Sequence, residues 1–341
     1  MFVQPKSCSP TPPAGAPDKS SGDVLARLAA WLADDLEQVD RLIHTAIESE
    51  VGLTNEIGRY LQTSSGKRLR PMLTLLASRI AGERIEAALH AAAMVELIHV
   101  ASLLHDDVID RAPLRRGNPT VNAHWGNDVA ILMADYIYSR AFAISFEWLP
   151  SRLMAILCRA AGGMCDGEMF QIEKRNQILT EPDYLYIIRC KTAGLFSACT
   201  HLGGALGAEG AATTAALERY GLEFGCAFQI TDDLLDLTAD PRRLGKEIGT
   251  DIACGKQTLP LIHALEKADA EDRAFLIAAL NDGRSPEQVV ERVVRYGGLD
   301  YALDVARRHA RQACECLDGL PDGPALEFLR DLTTLVVNRA Y

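Results

Sequence analysis

ELIHVASLLHDDVID (residues 96–110) and GCAFQITDDLLD (residues 225–236) are the two stretches that decide how this chain is read. Each is an apolar helical pattern closing on the same acidic signature, Asp106-Asp107-Val108-Ile109-Asp110 and Asp232-Asp233-Leu234-Leu235-Asp236. With 25 aspartates in 341 residues, chance supplies about 0.13 copies of this pattern. Two copies therefore need a cause. A helix C-terminus already carries partial negative charge, so three carboxylates there are unfavourable unless a cation offsets them. Residues four apart share a helix face, which sets Asp106 with Asp110 and Asp232 with Asp236. Oxygen-only ligands suit a hard cation, and Mg²⁺ takes one or two carboxylates together with water and substrate phosphates. Neither cluster has the central glycine and terminal glutamate of an EF-hand, which excludes that alternative.

Outward from these helices, apolar residues recur at three- and four-residue spacing over 24–50, 71–81, 85–105, 128–148, 153–170, 182–206, 211–237, 259–268, 272–280, 301–317 and 325–338. Ser64-Ser65-Gly66, Arg116-Gly117-Asn118-Pro119, Asp240-Pro241 and Asn281-Asp282-Gly283 supply the breaks. No run alternates apolar and polar residues as a strand would, and no Pro/Gly/Ser-rich linker divides the chain after residue 22. The pattern predicts one large all-α domain over 23–341, preceded by a disordered tail, 1–22, rich in Pro, Ser and Gly. Hydrophobic residues at 48% and charged residues at 24% allow a sizeable core, and aromatics at 6% favour helices over sheets. A net charge of −11 argues against a general nucleic-acid binder. The N-terminus has no apolar run, so it is no signal peptide. The longest apolar stretch, Ala87–Leu104, is interrupted by His90, Glu96 and His99, and no membrane span is expected. Nine scattered cysteines without a Cys-x-x-Cys pair read as free thiols of a reducing cytoplasm.

Cations are grouped in the same neighbourhoods. Gly66-Lys67-Arg68-Leu69-Arg70-Pro71 reads as opening a helix, with Lys67 and Arg70 on one face at its positive end. Arg115-Arg116-Gly117 follows the first acidic cluster, Lys191-Thr192 lies in a later helix, and Lys246 and Lys256 follow the second cluster. Two acidic clusters and these cations describe two diphosphate sites, one held through metal and one held directly by Lys and Arg.

GKRLRP (66–71), ELIHVASLLHDDVIDRAPLRRGNPT (96–120), KTAGLF (191–196), GCAFQITDDLLD (225–236) and LGKEIGTDIACGKQTLP (244–260) together resemble the trans-isoprenyl diphosphate synthases, the polyprenyl synthetase family, and most of all its long-chain octaprenyl-type members. The resemblance implies a helical bundle around a central cavity and a Mg²⁺-dependent condensation of isopentenyl diphosphate with an allylic prenyl diphosphate. It places the metal on Asp106, Asp110 and Asp232, with Asp107 supporting and Asp233 and Asp236 close by or reaching through water. It sets Arg115, Lys191, Thr192, Gln229 and Lys246 against the allylic substrate, Lys191 and Arg115 meeting the charge of the departing diphosphate. Gly66, Lys67, Arg70, His99 and Arg116 fall at the isopentenyl diphosphate positions, and His105 is left structural.

Ala101 and Ser102, one turn before Asp106, match the wall where short-chain members carry an aromatic floor. Two small residues there leave the way open, so a product of about six to ten isoprene units is expected at roughly one unit per helical turn, centred on octaprenyl. Ile98, Val95 and Met94 come next along this wall, with Met133 on the following helix. The resemblance also implies a cytoplasmic homodimer. Geranylgeranyl or shorter diphosphates are the alternative products. A terpene cyclase would carry a different second motif, and a non-catalytic partner subunit would have lost aspartates or the Lys/Arg clamp.

Overall fold

A computed structural model describes residues 20–63, 66–82, 85–175, 177–238, 250–282 and 286–338. Residues 1–19, most of the expected tail, and Lys246 lie outside the described residues. Among the described residues the helices are α1 (Ser20–Trp31), α2 (Ala33–Ile47), α3 (Gly52–Thr63), α4 (Leu69–Ile80), α5 (Ile85–Ile109), α6 (Val121–Trp125), α7 (Asn127–Trp148), α8 (Ser151–Glu173), α9 (Glu181–Ile188), α10 (Gly194–Leu206), α11 (Ala211–Thr238), α12 (Thr250–Ala253), α13 (Leu259–Lys267), α14 (Ala270–Asp282), α15 (Pro286–Arg295), α16 (Gly298–Cys316) and α17 (Pro324–Asn338). A five-residue π-helical segment, Arg189–Ala193, joins α9 to α10.

Helix α5 is apolar on nearly every side up to its aspartates, and a helix of that kind must be enclosed. It packs on α2, α4, α7 and α10. Ala91, Ala92, Ala93, Met94 and Val95 are fully buried. Helix α11, the other bearer of an acidic motif, packs between α10 and α16. Phe196 of α10 meets Phe224 and Phe228 of α11 with ring centroids 5.4 and 5.1 Å apart. Each such buried side chain contributes about 1.5–3 kcal/mol of transfer free energy, which fixes the two motif-bearing helices within one core.

The all-α expectation holds apart from a two-stranded hairpin, β1 (Leu114–Arg115) paired antiparallel with β2 (Asn118–Pro119). Its turn has positive φ at both central residues, 52° at Arg116 and 80° at Gly117, the backbone that a tight hairpin needs. The stretch 24–50 is two helices, because Leu32 leaves the helical region with φ −103° and ψ 14°. Helices α3 and α15 are additions to the sequence reading. GLTNEIGRYLQT buries only Ile57 and Gly58, and PEQVVERVVR carries its buried pair on Val289 and Val293, β-branched residues with weak helix propensity.

The expectation of no membrane span stands beside two helices that pass a test of length and composition for one. Ile85–Ile109 and Asn127–Trp148 are both long and apolar enough by length and composition. The polar interruptions at His90, Glu96 and His99 are too sparse to change that. Within this fold the first of them is a core helix, with two thirds of its most apolar window buried, 67%, against 33% for the second.

Candidate active site

The C-terminal end of α5 places Asp106 and Asp107 in its last turn and Asp110 just beyond it, where the Asp110 N–H donates to the Asp106 carbonyl at 2.8 Å. Asp107 is buried and turned inward. Its carboxylate accepts Arg115 Nε at 2.9 and 3.1 Å and Nη2 at 2.8 Å, a bidentate pair that aims the arginine leaving β1. Asp106 is half-buried. Burial pushes its carboxyl above the ordinary range; Lys191 and Arg115 pull it back, while Glu168 and Asp110 push it further up.

The second motif repeats this division of labour. Asp233 is buried, and its two oxygens accept Tyr184 Oη at 2.6 Å and Gln229 Nε2 at 2.8 Å. Burial, then the charges of Asp251 and Asp232, push this carboxyl up to about 8. Asp232 is exposed, and Asp236 accepts the Asp251 backbone N–H at 3.0 Å. Lys256 then ties the two motifs together: its Nζ lies 3.0 Å from Asp110 Oδ2 and 3.8 Å from Asp251 Oδ1. Burial lowers the Lys256 ammonium, but Asp251 and Asp110 outweigh it and hold it above its ordinary range.

Between the motifs runs the π-helical segment. Lys191 Nζ donates to the Glu168 carboxylate and, at 3.2 Å, to Gln171 Oε1. Thr192 Oγ1 donates to Gln229 Oε1 at 2.8 Å. Glycines flank this segment on both sides. A Cβ on Gly167 of α8 would lie 2.7 Å from Cys190 Cβ, and one on Gly225 of α11 would lie 2.5 Å from Ala193 Cα. Only glycine lets the widened turn sit between the two helices and present Lys191 and Thr192 to the acidic ends.

Beside the first motif, a cleft is lined by Gly66 and Arg68 of GKRLRP, by His99, Arg115 and Arg116 and, from α3, which carries no motif, by Tyr60. Burial, followed by the charges of Arg70, Arg116, Arg115 and Arg68, holds His99 well below the ordinary imidazole range, so it is neutral at pH 7. The Arg70 guanidinium stacks 4.6 Å over Phe196, and its buried Nε has no hydrogen-bond partner. A buried unsatisfied donor amid a cluster of arginines is suited to an anion. Lys67 is corrected: it precedes α4, which begins at Leu69, and Arg68 between them is left-handed at φ 53°. Lys67 and Arg70 therefore do not share a helical face. Arg68 pairs with Asp40 at 2.9 Å and Glu96 at 2.8 Å, a structural tie beneath the cleft.

Ala101 is fully buried and Ser102 half-buried, its hydroxyl donating back to the His99 carbonyl at 2.8 Å. Ile98, Val95, Met94 and Met133 all lie in the core. His105 pairs with Asp135 of α7 at 3.4 Å and stacks on Tyr138. Glu168, Gln171 and Tyr184 complete the site without a sequence signal of their own, and Lys256, grouped with the site cations by sequence, pairs with Asp110 and Asp251. None stands at a motif spacing from its partner.

The donor set fits a divalent cation. Both motifs offer carboxylate oxygens, and beside Asp106, which burial itself pushes above the ordinary range, Glu168 and Asp110 add negative charge. Among the described residues no three acidic, His or Cys side chains already converge as a metal cage. Mg²⁺ does not need one, because substrate phosphates and water complete its shell.

The sequence model of the polyprenyl synthetase family matches residues 51–296. The octaprenyl diphosphate synthase of Haemophilus influenzae is 36% identical over 315 residues, covering 91% of this chain and 96% of that protein. The crystal structure of a polyprenyl synthase from Caulobacter crescentus CB15, complexed with calcium and isoprenyl diphosphate, superposes with a TM-score of 0.88 at 34% identity, covering 93% of this chain and 98% of the other. A geranylgeranyl pyrophosphate synthetase from Pyrococcus horikoshii superposes at 0.86 with 32% identity, covering 94% and 100%. The chain belongs to the polyprenyl synthetase family, prenyltransferases that condense isopentenyl diphosphate with an allylic diphosphate.

Proposed function

We propose that this chain elongates an allylic diphosphate with successive isopentenyl diphosphate units to a long all-trans polyprenyl diphosphate, about octaprenyl in length and suited to a quinone side chain. The observation that carries the reading is the juxtaposition of the two acidic helix ends through Lys256 and Asp251, with the arginine-lined cleft immediately beside the first. Asp106, Asp110 and Asp232 would hold Mg²⁺, which supplies neutralisation of the leaving diphosphate's charge. Lys191 and Arg115 bind the same diphosphate and stabilise the negative charge that grows as the allylic C–O bond breaks. Lys67, Arg70, Arg116, the Gly66 backbone and neutral His99 hold isopentenyl diphosphate in the neighbouring cleft, so that its double bond faces the allylic carbon. The apolar core keeps water from the cation. The π electrons of the attacking alkene form the new C–C bond, one proton is lost, and the departed diphosphate is the base we assign to it.

Product length rests on α5. From Asp106 back to Ile85 the helix spans 21 residues, about 32 Å, the length of about six units at one per turn beyond the reacting end. The small side chains of Ala101 and Ser102 put no aromatic on its first turn. A geranylgeranyl product is the second reading, favoured by the likeness to the Pyrococcus enzyme. We further propose a cytoplasmic homodimer. Leu132 and Phe146, 68% and 75% exposed on one stripe of α7, mark the apolar face a second copy would cover. Incubating the protein with Mg²⁺, isotopically labelled isopentenyl diphosphate and an allylic primer, then sizing the products, tests the whole reading. A ladder ending near octaprenyl is expected. Termination at geranylgeranyl overturns the length, and no extension overturns the function.

A further inference from the structure

We propose that Tyr184 is a positioning residue for the allylic diphosphate site, acting through Asp233 and Gln229 on Thr192; the inference rests on the function proposed above. Tyr184 sits on α9, is 3% exposed and lies outside the arginine-lined cleft. Its hydroxyl donates to Asp233 Oδ2 at 2.6 Å, and the other carboxylate oxygen accepts Gln229 Nε2 at 2.8 Å. This fixes the amide. With Nε2 committed to Asp233, the opposite atom, Oε1, must face Thr192, whose hydroxyl donates to it at 2.8 Å. Four side chains from α9, α11 and the π-helical segment thus form one directional chain, ending on a side chain adjacent to Lys191.

The chain has a weak point at the carboxylate. Asp233 is buried, so its oxygens have no ready access to water in place of a lost donor. Without the Tyr184 hydroxyl, Oδ2 loses its donor, and Gln229 Nε2, 2.8 Å from Oδ1 of the same carboxylate, is a donor in position to turn toward it. Once it turns, Thr192 loses its acceptor and its fixed rotamer. The isopentenyl diphosphate cleft is lined by Gly66, His99 and Arg116, and none of Tyr184, Asp233, Gln229 and Thr192 lines it.

Tyr184→Phe keeps the ring and removes one hydroxyl. The expected result is a rise of about tenfold in KM for the allylic diphosphate, with KM for isopentenyl diphosphate within twofold of wild type. A double-mutant cycle with Thr192→Val separates relay from packing. If Tyr184 acts through Thr192, its loss changes the allylic KM less than twofold in the Thr192→Val background. Multiplicative effects, or equal rises for both substrates, overturn the assignment. Tyr220→Phe, which removes a buried hydroxyl bonded to the Leu329 carbonyl and Thr333, is the packing control and should lower Tm without moving either KM. Should Tyr184→Phe fail to fold, Asp233→Asn decides: the same allylic-specific rise supports the relay, whereas a shift in the Mg²⁺ concentration needed for activity makes Asp233 a metal ligand and overturns it. Wild-type elongation is scored separately. An inactive wild type removes the functional reading and this inference with it, while an active wild type with an unaltered Tyr184→Phe removes only the inference.

Discussion

Gly66→Ala adds a single methyl group at a point where the structure leaves no room for it. The new Cβ would lie 2.7 Å from Arg116 Nη2, 2.9 Å from Nη1 and 3.1 Å from Cζ, whereas ordinary contact begins at 3.4 Å. The guanidinium must therefore retreat by 3.4 − 2.7 = 0.7 Å. Arg116 is exposed and its far end is flexible, so the retreat costs little stability, about 0.5 kcal/mol or less. Binding is another matter. A charge-assisted hydrogen bond contributes about 1.5–3 kcal/mol and weakens steeply with misplacement, so losing about half of it raises KM for isopentenyl diphosphate roughly 4- to 13-fold. Arg115 is held from the other side by Asp107 at 2.8–3.1 Å and does not follow its neighbour, so the allylic KM stays within twofold. Steady-state kinetics with each substrate varied in turn, beside a melting curve, reads all three quantities. Wild-type KM for isopentenyl diphosphate in a well-folded Gly66→Ala enzyme would refute the coupling of GKRLRP to the hairpin arginines. A rise confined to the allylic substrate would mean that the two diphosphates are placed the wrong way round.

Asp106→Ala and Asp232→Ala should each lower kcat by orders of magnitude in an intact fold, and chelation should abolish activity that Mg²⁺ restores; near wild-type turnover in either variant contradicts the metal assignment. Ser102→Phe should shorten the product ladder while leaving the first condensation intact, and Ala101→Tyr should do the same at a cost in Tm, because Ala101 is fully buried. Unchanged product length in both would route the growing chain elsewhere. Sedimentation at working concentration should give a dimer, and Leu132→Glu with Phe146→Glu should give monomers; a dimer that survives both changes does not use this face of α7.

How much was legible in the sequence divides along physical lines. Charge and periodicity are local properties, so the acidic helix ends at Asp106 and Asp232 and the apolar identity of α5 and α11 could be read directly. Orientation is a non-local property. Tyr184 meets Asp233 from 49 residues away, Glu168 and Gln171 meet Lys191 from 23 and 20, and Lys256 meets Asp110 from 146. No spacing rule connects such pairs, and their residue types are common on any helix. Conformation is intermediate. The π-helical turn at Arg189–Ala193 is invisible to periodicity, which passes through 182–206 as one helix, yet it leaves a trace in Gly167 and Gly225, which are far from it in the chain and pressed against it in space. The left-handed Arg68 and Arg116 left no such trace. A bulky charged residue is the last type that propensity would place at positive φ, and each pays about 1–2 kcal/mol for it. That cost falls on the two residues that bring the GKRLRP segment and the hairpin to one cleft, and on Arg111 just past Asp110, at φ 52°. The strain accordingly marks the site more specifically than the arginines' charge does, since charge alone could have been supplied by any exposed lysine or arginine on the same surface.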